Sequence, residues 1–232
     1  MNKSCAIPVL CLTLFALPAA SLASPGAGAS SSQPHTYTYS VEHALYGNIG
    51  TFSDTVEQNG DTKRIDSKLR VAVRILGIVV HREEADRTEI WQGGRLVSFH
   101  GVTRVNGHPI EVTGEARPEG FVITSPDGTT VAPGNVYPSS PWVAHIVDGP
   151  TLMMSTKTGK LLPVQTLGGE STEVAVHGSD VPVHHYEFIT DKRQDVWLDA
   201  DGVPVRFRTE QSGKPIDFVL ASETIVASSD RH

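Results

Sequence analysis

Ile65-Asp66-Ser67-Lys68-Leu69-Arg70-Val71-Ala72-Val73-Arg74-Ile75 decides the fold class. Ile65, Leu69, Val71, Val73 and Ile75 fall on one side of a period of two, and Asp66, Lys68, Arg70 and Arg74 on the other. Successive side chains of a strand point to opposite faces, so this segment predicts a strand with one dry and one wet face. The same rhythm recurs in both directions along the chain. Tyr37, Tyr39 and Val41 alternate with Thr38, Ser40 and Glu42. Ile110, Val112 and Ala116 alternate with Glu111, Thr113, Glu115 and Arg117, and Val203, Val205 and Phe207 with Pro204, Arg206 and Arg208.

Turn dipeptides fall between these runs: Asn59-Gly60, Gly93-Gly94, Asn106-Gly107, Asp127-Gly128, Gly168-Gly169 and Asp201-Gly202. Asn-Gly and Asp-Gly supply the positive φ angles of tight hairpin turns. The reading is all-β: about a dozen strands at short spacing in a curved antiparallel meander, closing as a barrel or half-barrel because long open edges invite aggregation. One stretch departs from it, Asn135 to Pro150. Ser140 suits a helix cap and Pro141 the first helical position. The expectation is one short covering helix over Ser140–Val147, with Trp142, Ile146 and Val143 forming its apolar stripe.

The amino-terminal segment has Lys3, an apolar run from Ala6 to Leu17, and the ending Ser21-Leu22-Ala23. That layout is a secretory signal peptide, predicted to be cut after Ala23. Its apolar core is too short to span a bilayer, which takes about 20 residues. Both cysteines, Cys5 and Cys11, lie inside it, so the processed chain carries no thiol and no disulfide. The expected organisation is a signal peptide over residues 1–23, a Gly/Ala/Ser/Pro leader over 24–35, one β-rich domain over 36–226 and a frayed tail over 227–232. The expected location is the periplasm, with the extracellular space as the alternative, and no integral membrane segment after cleavage.

Removing Lys3 leaves 18 basic against 26 acidic residues. That balance argues against nucleic acid, which needs clustered Lys and Arg. The ten histidines include the pair His184-His185, whose neighbours on a strand face opposite ways, and His43, which shares the phase of Tyr37. No HExxH or His-x-His motif gathers them, so no metal site is assigned. Asp199-Ala200-Asp201-Gly202 resembles the opening of a calcium loop, but Val203 to Arg208 then alternates as a strand, which reads as a hairpin turn instead. Ser139 and Ser140 sit in neither a Gly-x-Ser-x-Gly nor a Ser-x-x-Lys pattern. No catalytic residue and no cofactor is assigned.

Three local patterns carry a resemblance. They are Tyr46-Gly47-Asn48-Ile49-Gly50 after the first strand, Pro138-Ser139-Ser140-Pro141-Trp142, and the hairpin Val196-Trp197-Leu198-Asp199-Ala200-Asp201-Gly202-Val203-Pro204-Val205-Arg206. Together they resemble an uncharacterised family of exported bacterial proteins known only as a domain of unknown function. The resemblance covers roughly residues 36 to 226. It implies a periplasmic address and a curved antiparallel sheet, with a more distant likeness to the half-barrel of periplasmic lipoprotein carriers. It implies no catalytic residues.

The expected function is that of a non-enzymatic periplasmic binding or carrier protein for an apolar or amphipathic ligand. The alternatives are a structural or assembly partner of an envelope complex and, third, a hydrolase. The residues expected to bind the ligand are Tyr39, Val71 and Val73 on the apolar sheet face and Trp142 and Ile146 on the covering segment.

Overall fold

A computed structural model describes residues 33–225 except 148, 177, 191 and 212. The expected signal peptide, the expected leader up to residue 32 and the expected tail lie outside the described residues. Strands dominate, and the described residues contain one 3-10 turn and no α-helix.

The described residues form 15 strands, numbered β1 to β15 in chain order, and all belong to one sheet in the order β8-β7-β6-β5-β4-β3-β2-β1-β15-β14-β13-β12-β11-β10-β9. The elements that matter below are β1 (His35–His43), β2 (Gly47–Asn59), β3 (Thr62–Ile75), β4 (Ile78–Gln92) and β5 (Arg95–Val105). They are followed by β6 (His108–Arg117), β7 (Gly120–Ser125), β8 (Gly128–Ala132) and β9 (Tyr137–Pro138). The second half runs β10 (Gly149–Met154), β11 (Leu161–Val176), β12 (Ser179–Ile189), β13 (Arg193–Leu198), β14 (Pro204–Gln211) and β15 (Lys214–Ile225). Two meanders are thus joined at the centre, where β1 pairs antiparallel with β15. The pairing is antiparallel throughout except for the two-residue parallel contact of β9 with β10, which makes the sheet mixed.

Chain connectivity dictates the curvature. β8 and β9 occupy opposite edges of the sheet, yet only the segment from Ala132 to Tyr137 separates them. Fifteen flat strands would hold their edges about 67 Å apart at ~4.8 Å per strand. Five residue steps reach at most ~18 Å. The sheet must roll until its edges nearly meet. The two edges are not hydrogen-bonded to one another, so the roll remains an open, curved sheet.

Rolling turns one face inward, and direct cross-strand partners share that face. Tyr39, Phe52, Leu69, Ala85 and Thr103 form one such row. Val56, Ile65, Glu89, Phe99, Gly114 and Ile123 form another. Tyr39, Phe99, Phe121, Ile65, Leu96 and Ile123 are among the largest fully buried side chains. One core cluster joins Trp91, Phe99 and Ile123 from the first meander to Met153, Phe188 and Leu198 from the second, so opposite walls of the roll pack on each other.

The covering segment is shorter than the sequence suggested. It is a single 3-10 turn, Pro141–Val143, with Ser140 ahead of it making no side-chain cap. The backbone bonds run three residues apart: Ala144 N–H to the Pro141 carbonyl at 3.3 Å and Ile146 N–H to the Val143 carbonyl at 3.1 Å. This corrects the position of Ile146. Three residues complete a 3-10 turn, so a side chain four positions on is rotated by about 120° from the first. Trp142 faces the core at 7% exposure, and Ile146 points to solvent at 42%.

Candidate functional site

Sheet register builds the site from an inner-facing polar row. Tyr37, Asp54, Ser67, Arg87 and Gly101 lie directly opposite one another across β1 to β5. One rung away, Glu89 sits between Ile65 and Phe99. Buried polar side chains normally find partners, because an unpaired one forfeits its hydration. Asp54 does so on one side: Oδ2 accepts the indole N–H of Trp142 at 2.7 Å. Glu89 does likewise, its Oε2 accepting the indole N–H of Trp91 at 3.0 Å. Burial raises the Asp54 carboxyl from 3.8 to about 6, against the lowering effect of Ser67, Trp142 and Arg87. Burial also raises Glu89 from 4.5 to about 7, with Trp91 opposing the rise and the Asp54 charge adding to it.

Arg87 is the exception. It makes no hydrogen bond and no ion pair with any described residue, and its Nε is sealed from solvent without a partner. Burial pushes its guanidinium below the usual arginine value, opposed by the charges of Glu83, Glu89 and Asp54. Space for it comes from Gly101 opposite. A Cβ there would lie 3.2 Å from Arg87 Cγ and 3.0 Å from Phe99 Cζ, tighter than ordinary side-chain contact.

Arg87 lines a cavity of about 200 Å³ whose other walls include Phe52, Leu69, Phe188, Phe207 and Phe218, under Ser139 and Pro141 of the covering segment. A second cavity of about 370 Å³ shares Leu69, Thr209 and Phe218 with it, so the two adjoin. Its remaining lining includes Val41, Val71, His81, Glu83, Lys157 and Lys192. Lys157 and Lys192 stand in the β10–β11 and β12–β13 connections, which open at the same end of the roll as the β3–β4 turn. The larger cavity is therefore the mouth and the smaller one the interior, where Ser139, Gln194, Asp195, Arg208 and Thr209 line the wall beside Arg87 and the apolar side chains. Ligand pockets of this kind measure roughly 300–1,000 Å³, with a small number of placed polar groups.

The residues expected from sequence separate into three places. Tyr39 is fully buried against Phe52 and Phe207, at ring separations of 5.7 and 5.3 Å, and its hydroxyl is unpartnered. Val71 borders the mouth, and Val73 is buried two residues on. Trp142 packs on Tyr37 with ring centroids 5.3 Å apart. Ile146 is remote from all of these and borders a separate cavity of about 190 Å³ with Lys63, Trp91 and His145. Arg87, Asp54 and Glu89 were not anticipated. Their signal was available: Arg87 and Glu89 share a period of two with Ala85 and Trp91.

Ligand atoms of His185, Glu187 and Asp195 lie within 4.8 Å of one another. Arg193 already bonds both carboxylates, Glu187 at 2.7 Å and Asp195 at 2.9 Å. His185 bonds Asp195 and stacks on Trp197, so the trio reads as an ion-pair network rather than a vacant ligand set. His43 and His184 do not converge, because four steps of the sheet order separate β1 from β12. Asp199 Oδ1 accepts the Asp201 and Val203 amides, closing the hairpin turn read from sequence.

The profile of a family described as a domain of unknown function, DUF6134, matches residues 46–221. The chain belongs to the DUF6134 family. The matched span runs from the β1–β2 turn into β15, so for this DUF6134 chain it includes the polar row from Asp54 to Gly101, the whole lining of the smaller cavity and all of the larger one's but Val41. Among solved structures, it is similar to the beta-barrel-like protein of domain of unknown function DUF1849 from Brucella abortus. The TM-score is 0.61 at 11% identity, covering 84% of this chain and 98% of the other. That likeness is one of fold: a curved, barrel-like β architecture. No curated protein matches the DUF6134 chain. No helix among the described residues is long and apolar enough to cross a membrane.

Proposed function

We propose that this protein is a non-enzymatic periplasmic binding or carrier protein for an amphipathic ligand, with an apolar chain in the aromatic cavity and an anionic group at Arg87. One observation carries this reading: Arg87 lines a cavity walled largely by aromatic and aliphatic side chains, its Nε is sealed from solvent without a partner, and it bonds to none of the described residues. A half-buried cation whose Nε is sealed and unpartnered is costly, and the nearest carboxylates act on it only through space. A carboxylate or phosphate monoester entering the cavity would supply the missing bidentate partner, the geometry for which guanidinium is suited. The alkyl portion would lie along Phe52, Phe207 and Phe218 toward the mouth at Val71.

The test is competition against an environment-sensitive apolar dye, using palmitate and hexadecanol. Hydrogen bonds to a charged group contribute about 1.5–3 kcal/mol, so palmitate should compete at least about tenfold better than the alcohol. Arg87→Met should erase that preference while leaving alcohol binding in place. Equal competition by acid and alcohol in the unaltered protein removes Arg87 from the reading. No saturable dye binding removes the reading itself and favours an assembly partner of the envelope.

A further inference from the structure

The β3–β4 hairpin ends in Ile75-Leu76-Gly77-Ile78-Val79-Val80, and every one of these residues is exposed. Leu76 stands 98% exposed and Ile78 70%, with Val80 at 52%. The turn itself is built from Leu76 at φ 50 and Gly77 at φ 82. Positive φ is unfavourable for leucine, and a solvent-exposed turn ordinarily carries Asn or Asp there. The Asn106-Gly107 turn of the neighbouring β5–β6 hairpin has that ordinary form. Exposed apolar residues scattered singly need no explanation, whereas a contiguous apolar tip marks an interaction surface.

From this tip we infer that the hairpin inserts into an anionic lipid surface and sets the cavity mouth against it. Three observations select a lipid surface over a protein groove. First, the tip is apolar on both faces of the ribbon, since Ile78, Val79 and Val80 are consecutive and alternate in direction. A protein groove reads one face of a ribbon; a hydrocarbon layer surrounds both. Second, cations lie behind the tip at headgroup depth. Arg74 pairs with Val79 in the ladder, and Arg82 and Arg104 lie further down the adjoining strands, all exposed. At ~3.3 Å per residue Arg74 is about 7 Å below Leu76, and amphipathic segments bury about 5–10 Å into the interface. Arg74 and Arg104 have no ion-pair partner among the described residues, and Arg82 has only a 3.8 Å approach to Glu84. Third, the arms of the same hairpin supply Val71, His81 and Glu83 to the cavity mouth, so a lipid surface at the tip faces the entrance.

The insertion is weak by design of length: six apolar positions are a foothold, not a span, which suits reversible contact. The inference adds a donor or acceptor surface to the proposed binding function and rests on that reading only for the role of the mouth.

The experiment is sedimentation with vesicles of phosphatidylethanolamine and phosphatidylglycerol, alongside phosphatidylcholine vesicles, using protein expressed with its own leader and purified after processing. Leu76→Asp should lower the bound fraction on the anionic vesicles at least tenfold with an unchanged thermal midpoint. Arg74→Glu with Arg104→Glu should abolish the preference for anionic over zwitterionic vesicles. In Leu76→Trp, the tip indole emission should shift to shorter wavelength on vesicle addition. Equal sedimentation of the unaltered protein and Leu76→Asp overturns the inference. So does concentration-dependent self-association that Leu76→Asp abolishes, which assigns the tip to a second copy of the chain. Palmitate binding without vesicles reads the cavity separately: Leu76→Asp should leave it intact, and Arg87→Met should weaken it at least about tenfold, to the level of hexadecanol, while still sedimenting.

Discussion

The indole N–H of Trp142 donates to Asp54 Oδ2 at 2.7 Å, tying the covering segment to the inner face of β2 across 88 positions of sequence. The bond explains why a single 3-10 turn suffices as a cover. Trp142 is held by a charged-type acceptor and by the Tyr37 ring, while Val143 and Ala144 beside it complete the packing. Asp54 also sits in the row that leads, through Ser67, to Arg87. The cover and the buried cation are therefore fixed to the same three strands.

Asp54 makes the fold sensitive to pH in an unusual direction. Its carboxyl is raised by burial from 3.8 to about 6, and that of Glu89 from 4.5 to about 7. Between the unfolded and folded values the native state binds more protons than the unfolded one, so stability falls as pH rises through that window. Each rise corresponds to roughly 3 kcal/mol. The protein should be more resistant to urea near pH 4.5 than near pH 7.5. Asp54→Asn keeps an acceptor for Trp142 and removes the charge, so it should raise the midpoint at pH 7.5 and flatten the profile. Urea titrations of both proteins at the two pH values check this, and a midpoint for Asp54→Asn below that of the unaltered protein at pH 7.5 contradicts it.

Arg87 should trade stability for function. Arg87 is half-buried with an unpartnered Nε, and replacing such a charge by a well-packed apolar side chain of similar length favours the folded state. Arg87→Met should therefore melt higher while losing the carboxylate preference. A structural arginine would behave the opposite way, with the variant melting lower. Calorimetry with and without palmitate separates the two.

Much of the fold could be read before the structure, and the reason is local. The alternation from Ile65 to Ile75 specifies a strand without reference to anything distant. The Asp201-Gly202 turn likewise closes on Asp199 within its own hairpin. What escaped was long-range. No local pattern announces that β1 pairs with β15, or that Ala132 to Tyr137 ties the two sheet edges together. The site escaped for a different reason. Pattern reading assigns polar residues to the wet face, and Asp54, Arg87 and Glu89 occupy the dry one. Arg87 and Glu89 share phase with Ala85 and Trp91, a conflict between composition and period that marks a buried polar position. Ile146 was misplaced because its spacing from Trp142 was read at 3.6 residues per turn and the backbone turns at three.

Trp142 carries the cover, so its loss should be felt globally. Trp→Ala in a core costs roughly 3–5 kcal/mol. Trp142→Ala also strands the buried Asp54 carboxylate, whose Oδ1 already lacks a partner. Trp142→Phe keeps most of the packing and loses only the N–H. It should therefore recover part of the stability at pH 7.5 and more of it near pH 4.5, where Asp54 is protonated. An equal deficit for Trp142→Phe at both pH values would place the bond outside the energetics of the cover.

Closure of the roll supplies the last prediction, because two contacts across it differ sharply in expected weight. The β10–β11 connection reaches the first meander through Gly159, where an added Cβ would lie 3.1 Å from Ile123 and Ser125 and 3.2 Å from Val112. The residue next to it, Lys160, pairs with Asp127 at 3.2 Å, both side chains about two-thirds exposed. The ion pair is the more visible contact, but exposed pairs contribute little after screening and side-chain ordering. Gly159 has φ +73, which favours glycine, and it packs against β6 and β7 without a gap. Overpacking a close contact of this kind costs about 1–3 kcal/mol, before the backbone penalty is added. Gly159→Val should lower the urea midpoint clearly and expose the β10–β11 connection to limited proteolysis. Lys160→Ala should leave both readouts unchanged. The reverse ranking would mean that surface charge, and not the fit of Gly159 between the meanders, holds the two edges of the sheet together.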